Sequence, residues 1–82
     1  MSTNLSLQQI EMHEQAMKSL RDVADDSCIE TVEQAFKTGR ATWFRYERDG
    51  ALGLRPTDSA STAMVVYPQD DAFETGDSFW DL

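Results

Sequence analysis

Apolar and polar positions follow two different periods along this chain, and the change between them falls near Gly39. Before it, Ile10, His13, Met17, Leu20 and Ala24 recur at steps of three and four, with Ala16 and Val23 widening the stripe. That spacing predicts an amphipathic helix. Ser6 and Gln9 have the spacing of a capping box, and Leu5 with Ile10 that of a hydrophobic staple. The helix is therefore expected to open at Ser6, with residues 1–4 frayed. Asp25-Asp26-Ser27 interrupts the stripe. Ser27 and Glu30 make a second capping-box pair ahead of Ile29, Val32 and Phe36, the stripe of a second helix flanked by Cys28 and Ala35. Gly39 is its expected stop, and Lys37 suits the negative end of the helix dipole. One helix bent at the Asp pair is the competing reading.

Beyond Gly39 the chain turns β-like. Thr42 to Glu47 is rich in aromatic and β-branched residues, Arg48-Asp49-Gly50 reads as a turn, and Ala51 to Arg55 as a returning strand. A two-residue Asp-Gly loop would set Phe44 and Tyr46 on the face opposite Leu52 and Leu54; a three-residue loop with Gly50 left-handed would put all four on one face. The second register is expected, because a buried face fixes register. Pro56 ends or edges this strand. After a polar loop, Thr62 to Tyr67 is the most apolar of the three strands, and Pro68 ends it. The pattern as a whole predicts an α+β domain over residues 1–68, two N-terminal helices packed on a three-stranded antiparallel β-meander, followed by an acidic-aromatic C-terminal segment over residues 69–82.

Charge changes the picture most in that last segment. The 82 residues carry fifteen acids and seven bases, a net charge of −8. Residues 1–38 hold seven acids and three bases, residues 39–58 three acids and four arginines, and residues 59–82 five acids and no base. Those five are Asp70, Asp71, Glu74, Asp77 and Asp81, threaded with Tyr67, Phe73, Phe79 and Trp80. The helix acids read as solvated surface: Glu14 with Lys18 and Glu33 with Lys37 sit at i,i+4, and Asp25, Asp26 and Glu30 lie at a helix start. The hairpin arginines Arg40, Arg45, Arg48 and Arg55 are expected to pair with Glu47, Asp49 and Asp58 or with the acidic segment. That segment is either a disordered solubilising tail, or Phe79 and Trp80 fold back on the sheet and complete a core that 68 residues do not fill.

Size and composition exclude several functions. A chain of this length makes one domain and buries only about 60% of its unfolded surface. A deep pocket with a supporting shell is not expected, so the chain is not expected to be an enzyme. Excess negative charge opposes direct contact with nucleic acid or anionic membrane. No apolar run approaches the roughly 20 residues of a spanning helix, and no signal peptide is expected, which places the protein in the cytoplasm. Cys28 and His13 are single, so neither a disulfide nor a usual zinc site is expected. His13 reads as a partly buried core residue and Cys28 as a small buried one; a Cys28–His13 couple lacks a third group. Asp70, Asp71, Glu74 and Asp77 lack the residue alternation of a calcium loop, so neither metal nor cofactor is expected. Met12, Met17 and Met64 read as core filler.

What remains is a protein-binding surface. The expected partner is a larger basic protein or nucleoprotein complex, met by Asp70, Asp71, Glu74, Asp77 and Asp81 with Phe73, Phe79 and Trp80 as anchors. In size, charge and lack of catalytic motifs the chain resembles the inhibitors that phages and mobile elements direct against host nucleases, anti-CRISPR and anti-restriction proteins among them; no motif carries that resemblance. It implies a DNA mimic that occupies a nucleic-acid-binding site, acting in the host cytoplasm if phage-encoded. The alternative is an interaction module whose last residues dock as a peptide in a partner's groove.

Overall fold

The computed structural model describes residues 6–82. The expected fraying of residues 1–4 and the Leu5–Ile10 staple fall outside the described residues. Helix α1 (Leu7–Val23) opens at Ser6, whose side chain accepts the Gln9 N–H at 3.1 Å. It stops where Ala24 turns to extended backbone, ψ 155°, so two helices form and not one bent helix. Helix α2 (Asp26–Lys37) is capped by Asp25 rather than by Ser27. The Asp25 carboxylate accepts the Cys28 N–H at 2.9 Å. A carboxylate satisfies the free N–H and also meets the positive end of the dipole, which a hydroxyl does not. At the other end Gly39 takes φ 76°. The Arg40 N–H bonds the Ala35 carbonyl at 2.9 Å and the Gly39 N–H the Phe36 carbonyl at 3.2 Å. This is a Schellman closure, which needs the left-handed residue that glycine supplies without a Cβ clash.

The sheet has four strands, not three: β1 (Ala41–Arg45), β2 (Leu52–Pro56), β3 (Met64–Tyr67) and β4 (Ala72–Thr75), antiparallel in the order β1-β2-β3-β4. The stretch after Pro68 is therefore built into the fold. It pairs with β3 through Val66↔Phe73 and Val65↔Glu74, and continues into a short 3-10 helix, Asp77–Asp81. The segment joins because β3 would otherwise leave a bare hydrogen-bonding edge and because Phe79 fills the core, 3% exposed.

The hairpin takes neither drawn loop. Arg45 pairs Leu52, Phe44 pairs Gly53 and Trp43 pairs Leu54. The loop is closed by Tyr46 N–H to Ala51 C=O and Gly50 N–H to Tyr46 C=O, both 2.9 Å. Phe44 thus lies on the face opposite Leu52 and Leu54, correcting the expected one-sided arrangement. Trp43 decides it. As the largest side chain of β1, it takes the buried parity with Ala41, and Phe44 goes to the outer face. There its ring covers Gly53, where any Cβ would collide with it, and the Arg55 guanidinium lies 5.5 Å from its centroid.

Both helices cover the inner face. Ala16, Met17, Leu20, Val32, Ala35 and Phe36 meet Trp43, Leu52, Leu54, Met64, Val66 and Phe79 in one core. The α1 stripe is rotated from its sequence expectation: Ile10 and Val23 are 37% and 43% exposed. Gln9 turns toward the sheet instead. Its Nε2 donates to the Trp43 carbonyl at 2.6 Å and its Oε1 accepts the Trp43 N–H at 2.8 Å. Tyr46 and Ala51 are a hydrogen-bonded pair of the ladder, so Trp43 and Leu54, three positions on, are a non-hydrogen-bonded pair; the Trp43 backbone groups therefore face the outer edge of β1, and Gln9 satisfies both.

Candidate functional site

Site residues proposed from sequence fall along the edge made by β4 and its flanks. Asp70 and Asp71 sit in the β3–β4 turn, where the Asp70 N–H bonds the Tyr67 carbonyl at 3.0 Å and Asp71 takes φ 49°. Glu74 is opposite Val65 and points to the open face of the sheet. Asp77 and Asp81 are the first and last residues of the 3-10 helix. All five carboxylates are exposed. At the rise of an extended strand, the run from Asp71 to Asp77 spans about 20 Å. The three aromatics separate. Phe79 belongs to the core, and Phe73 packs against it. Trp80 is 78% exposed, its ring edge-on to Phe79 with centroids 5.2 Å apart. One aromatic is thereby held outward by another that is held inward.

Tertiary packing adds two acids that the sequence reading left as ordinary helix surface. Asp22 of α1 lines a shallow groove with Asp71 and Pro68, and Lys18 sits in the same groove. Asp25 lines a larger groove, about 460 Å³, between the α1–α2 junction and the 3-10 helix, shared with Phe73, Phe79 and Trp80. No sequence signal links positions some 50 residues apart. They meet because α1 lies over β3 and β4.

The expected ion pairing is mostly absent. Among the described residues one ion pair forms, Glu33–Lys37 at 3.8 Å. Glu14–Lys18 does not form, nor do the hairpin arginines meet Glu47, Asp49, Asp58 or the C-terminal acids. Arg40 Nε donates to the Thr38 hydroxyl at 2.9 Å, Arg45 donates to Gln15 at 3.3 Å, and Arg55 lies over Phe44. Thr38 at the end of α2, Gln15 of α1 and Phe44 take these three guanidiniums, since β1 and β2 lie on the side of the sheet away from β4. Charge is thus divided by strand order, with arginines on the β1–β2 hairpin and unpaired carboxylates along β4.

His13 and Cys28 lie apart, each packed beside the core. The His13 ring stacks on Phe36, centroids 4.0 Å apart and planes within 5°, and its Nδ1 accepts the Trp43 Nε1–H at 3.0 Å. That bond requires an unprotonated Nδ1. Burial pushes the His13 pKa down, against the opposing pull of Glu33 and Glu14. Cys28 lines the large groove, away from the groove that His13 lines with Glu33 and Lys37. Burial, and then the Asp25 charge, push its thiol pKa up, the wrong direction for a nucleophile. Among the described residues no three of His, Cys, Asp and Glu converge as metal ligands, and no helix is long and apolar enough to cross a membrane.

A pH dependence follows from His13. Its folded pKa lies below its unfolded value near 6.5, so the unfolded chain takes up the proton first. Stability from this group is full above about pH 6.5 and is lost as pH falls through the folded pKa. The urea midpoint of the wild type is expected to drop between pH 7.5 and 5.0 by more than that of His13→Gln, which keeps an acceptor for Trp43 and has no proton to gain. Equal drops in both proteins would remove His13 as the cause.

Comparison with protein-family models, with curated proteins and with solved structures finds no match to this chain.

Proposed function

We propose that this protein is a small acidic inhibitor or regulator that docks its β4 edge on the basic, nucleic-acid-binding site of a larger protein or nucleoprotein complex. The observation that carries the reading is the anchoring of the C-terminal segment. Strand pairing and the burial of Phe79 fasten β4 and its flanks to the domain, and these carry five exposed carboxylates with no ion-pair partner among the described residues. Duplex DNA presents one negative charge per about 1.7 Å of axis, and a protein that grips it does so with Lys and Arg. A fixed row of carboxylates competes for the same groups, and opposite charge also speeds encounter. Rigidity matters here, since a preorganised row avoids the ordering entropy of a free tail.

Docking of the last residues as a loose peptide is the weaker reading, because Phe79 would have to leave the core. A phage-type anti-defence role, as an anti-CRISPR or anti-restriction protein in the host cytoplasm, is the setting in which such a surface has a ready use. The test is a pull-down from the native host at low and high salt. Recovery of a basic nucleic-acid enzyme at about 0.05 M salt and its release by about 0.5 M supports the proposal, since surface charge attraction is screened over that range. Retention of partners that salt does not touch would overturn it.

A further inference from the structure

We infer that the 460 Å³ groove between the α1–α2 junction and the 3-10 helix receives an arginine side chain of the partner. This rests on the reading of the acidic edge as a docking face for a basic protein, and it names the side chain that face takes in. Most of the residues that line the groove are apolar, and the acid among them is Asp25. Val23, Phe73 and Phe79 line it, Trp80 stands at its rim, and Asp25 is its one ionisable carboxylate. Among the described residues no Lys or Arg lines it.

Each part matches one part of arginine. The aliphatic stem of an arginine lies well on apolar walls while its head stays polar. The planar guanidinium stacks on an indole face, and Trp80 offers the most exposed ring of the large apolar residues among those described. Asp25 uses Oδ1 to accept the Cys28 N–H, and its second oxygen is left for a donor from the guanidinium. Charge favours a basic occupant over an acidic one: Asp25, Asp26 after it, and Asp77 and Asp81 at the ends of the short helix that carries Trp80 together outweigh the roughly half a positive charge at the α2 N-terminus. A lysine has the charge without the plane, so it fits less well.

The probe is a short blocked peptide containing two arginines and three glycines, compared with its lysine and citrulline analogues, titrated into the full chain. Trp43 is buried, so the change in indole emission reports on Trp80. The arginine peptide is expected to change that emission and to shift the amide resonances of Cys28, Thr31 and Thr75, which line the groove. The lysine peptide is expected to bind more weakly, and the neutral citrulline peptide not at the same concentration. Trp80→Ala and Asp25→Asn should each weaken the arginine peptide about fivefold. Asn still caps α2, so Asp25→Asn removes the charge and keeps the helix. Equal binding of arginine and citrulline peptides, equal binding by the variants, or shifts mapped to another face would overturn the inference. The two levels separate cleanly. Salt-released capture of a basic protein that Trp80→Ala leaves unchanged removes the arginine groove and keeps the function. Arginine binding in the groove with no salt-sensitive partner keeps the groove and removes the function.

Discussion

Phe79→Ala is expected to destabilise the protein by about 3–5 kcal/mol, the usual cost of emptying a buried aromatic site. For a domain of this size the total is only about 4–12 kcal/mol, so the variant loses from about a quarter to all of it and is expected to melt well below the wild type. Phe79 is 3% exposed within the same core as Val66 and Leu54, and it is the residue that ties the 3-10 helix to that core. Truncation after Pro68 goes further. It removes β4, exposes the β3 edge, and takes away both Phe73 and Phe79. The expected product is an unfolded or aggregating chain, not a smaller domain that has lost an appendage. Circular dichroism and thermal melting check both, with Trp80→Ala as the control: at 78% exposure it is expected to melt within a degree or two of the wild type. A folded, cooperative 1–68 fragment would overturn the role of the segment as part of the core. The same reasoning makes truncation a poor probe of binding, since loss of fold and loss of site would coincide.

Neutralising the β4 edge is the second large effect, and here on association. Changing Asp70, Asp71, Asp77 and Asp81 to Asn and Glu74 to Gln is expected to weaken capture of a basic partner about 100-fold or more. The fold should tolerate it. All five side chains are exposed and none is in an ion pair among the described residues. Asp71 sits at φ 49°, a conformation that Asn tolerates well, so that change is expected to be neutral or mildly stabilising. Mutual repulsion along the edge also falls when the charges go. The expected result is therefore unchanged or slightly raised melting with lost binding. The check is surface-immobilised capture at two salt concentrations. Undiminished capture by the neutralised protein would sink the proposed function, and separate Glu11→Gln and Glu30→Gln changes on the helices would show whether charge elsewhere carries the interaction.

Local chemistry was the part legible in advance. Ser6, Gly39 and the break at Asp25-Asp26 act through neighbours within a few residues, so both helices could be placed, although Asp25 outcompeted Ser27 as the cap by carrying a charge. The second strand, Leu-Gly-Leu-Arg-Pro, is placed by the turn residues Arg48-Asp49-Gly50 before it and by its alternating leucines, and the first and third carry enough β-branched and aromatic residues to declare themselves. The fourth does not. Ala72-Phe73-Glu74-Thr75 is short and weakly patterned, and it becomes a strand because β3 offers it a row of backbone partners. Hairpin register was open for a related reason: Trp43 and Phe44 are adjacent, either could take the buried side, and only the space under α1 beside Leu54 and His13 selects Trp43.

The chain by itself determined two capped helices, a switch to β structure after Gly39, an excess of acid, and the concentration of carboxylates after Ser59 with no base near them in sequence. Those follow from short-range spacing and from counting charges. Tertiary structure decided that the acidic stretch is a strand and a core anchor, that Phe79 points in while Trp80 points out, that Gln9 closes the β1 edge, and that Asp22 shares a groove with Asp71 and Asp25 one with the C-terminal aromatics. The physical reason is common to all four. Each depends on what a residue meets across the core or across a sheet edge, and that partner is far away in sequence.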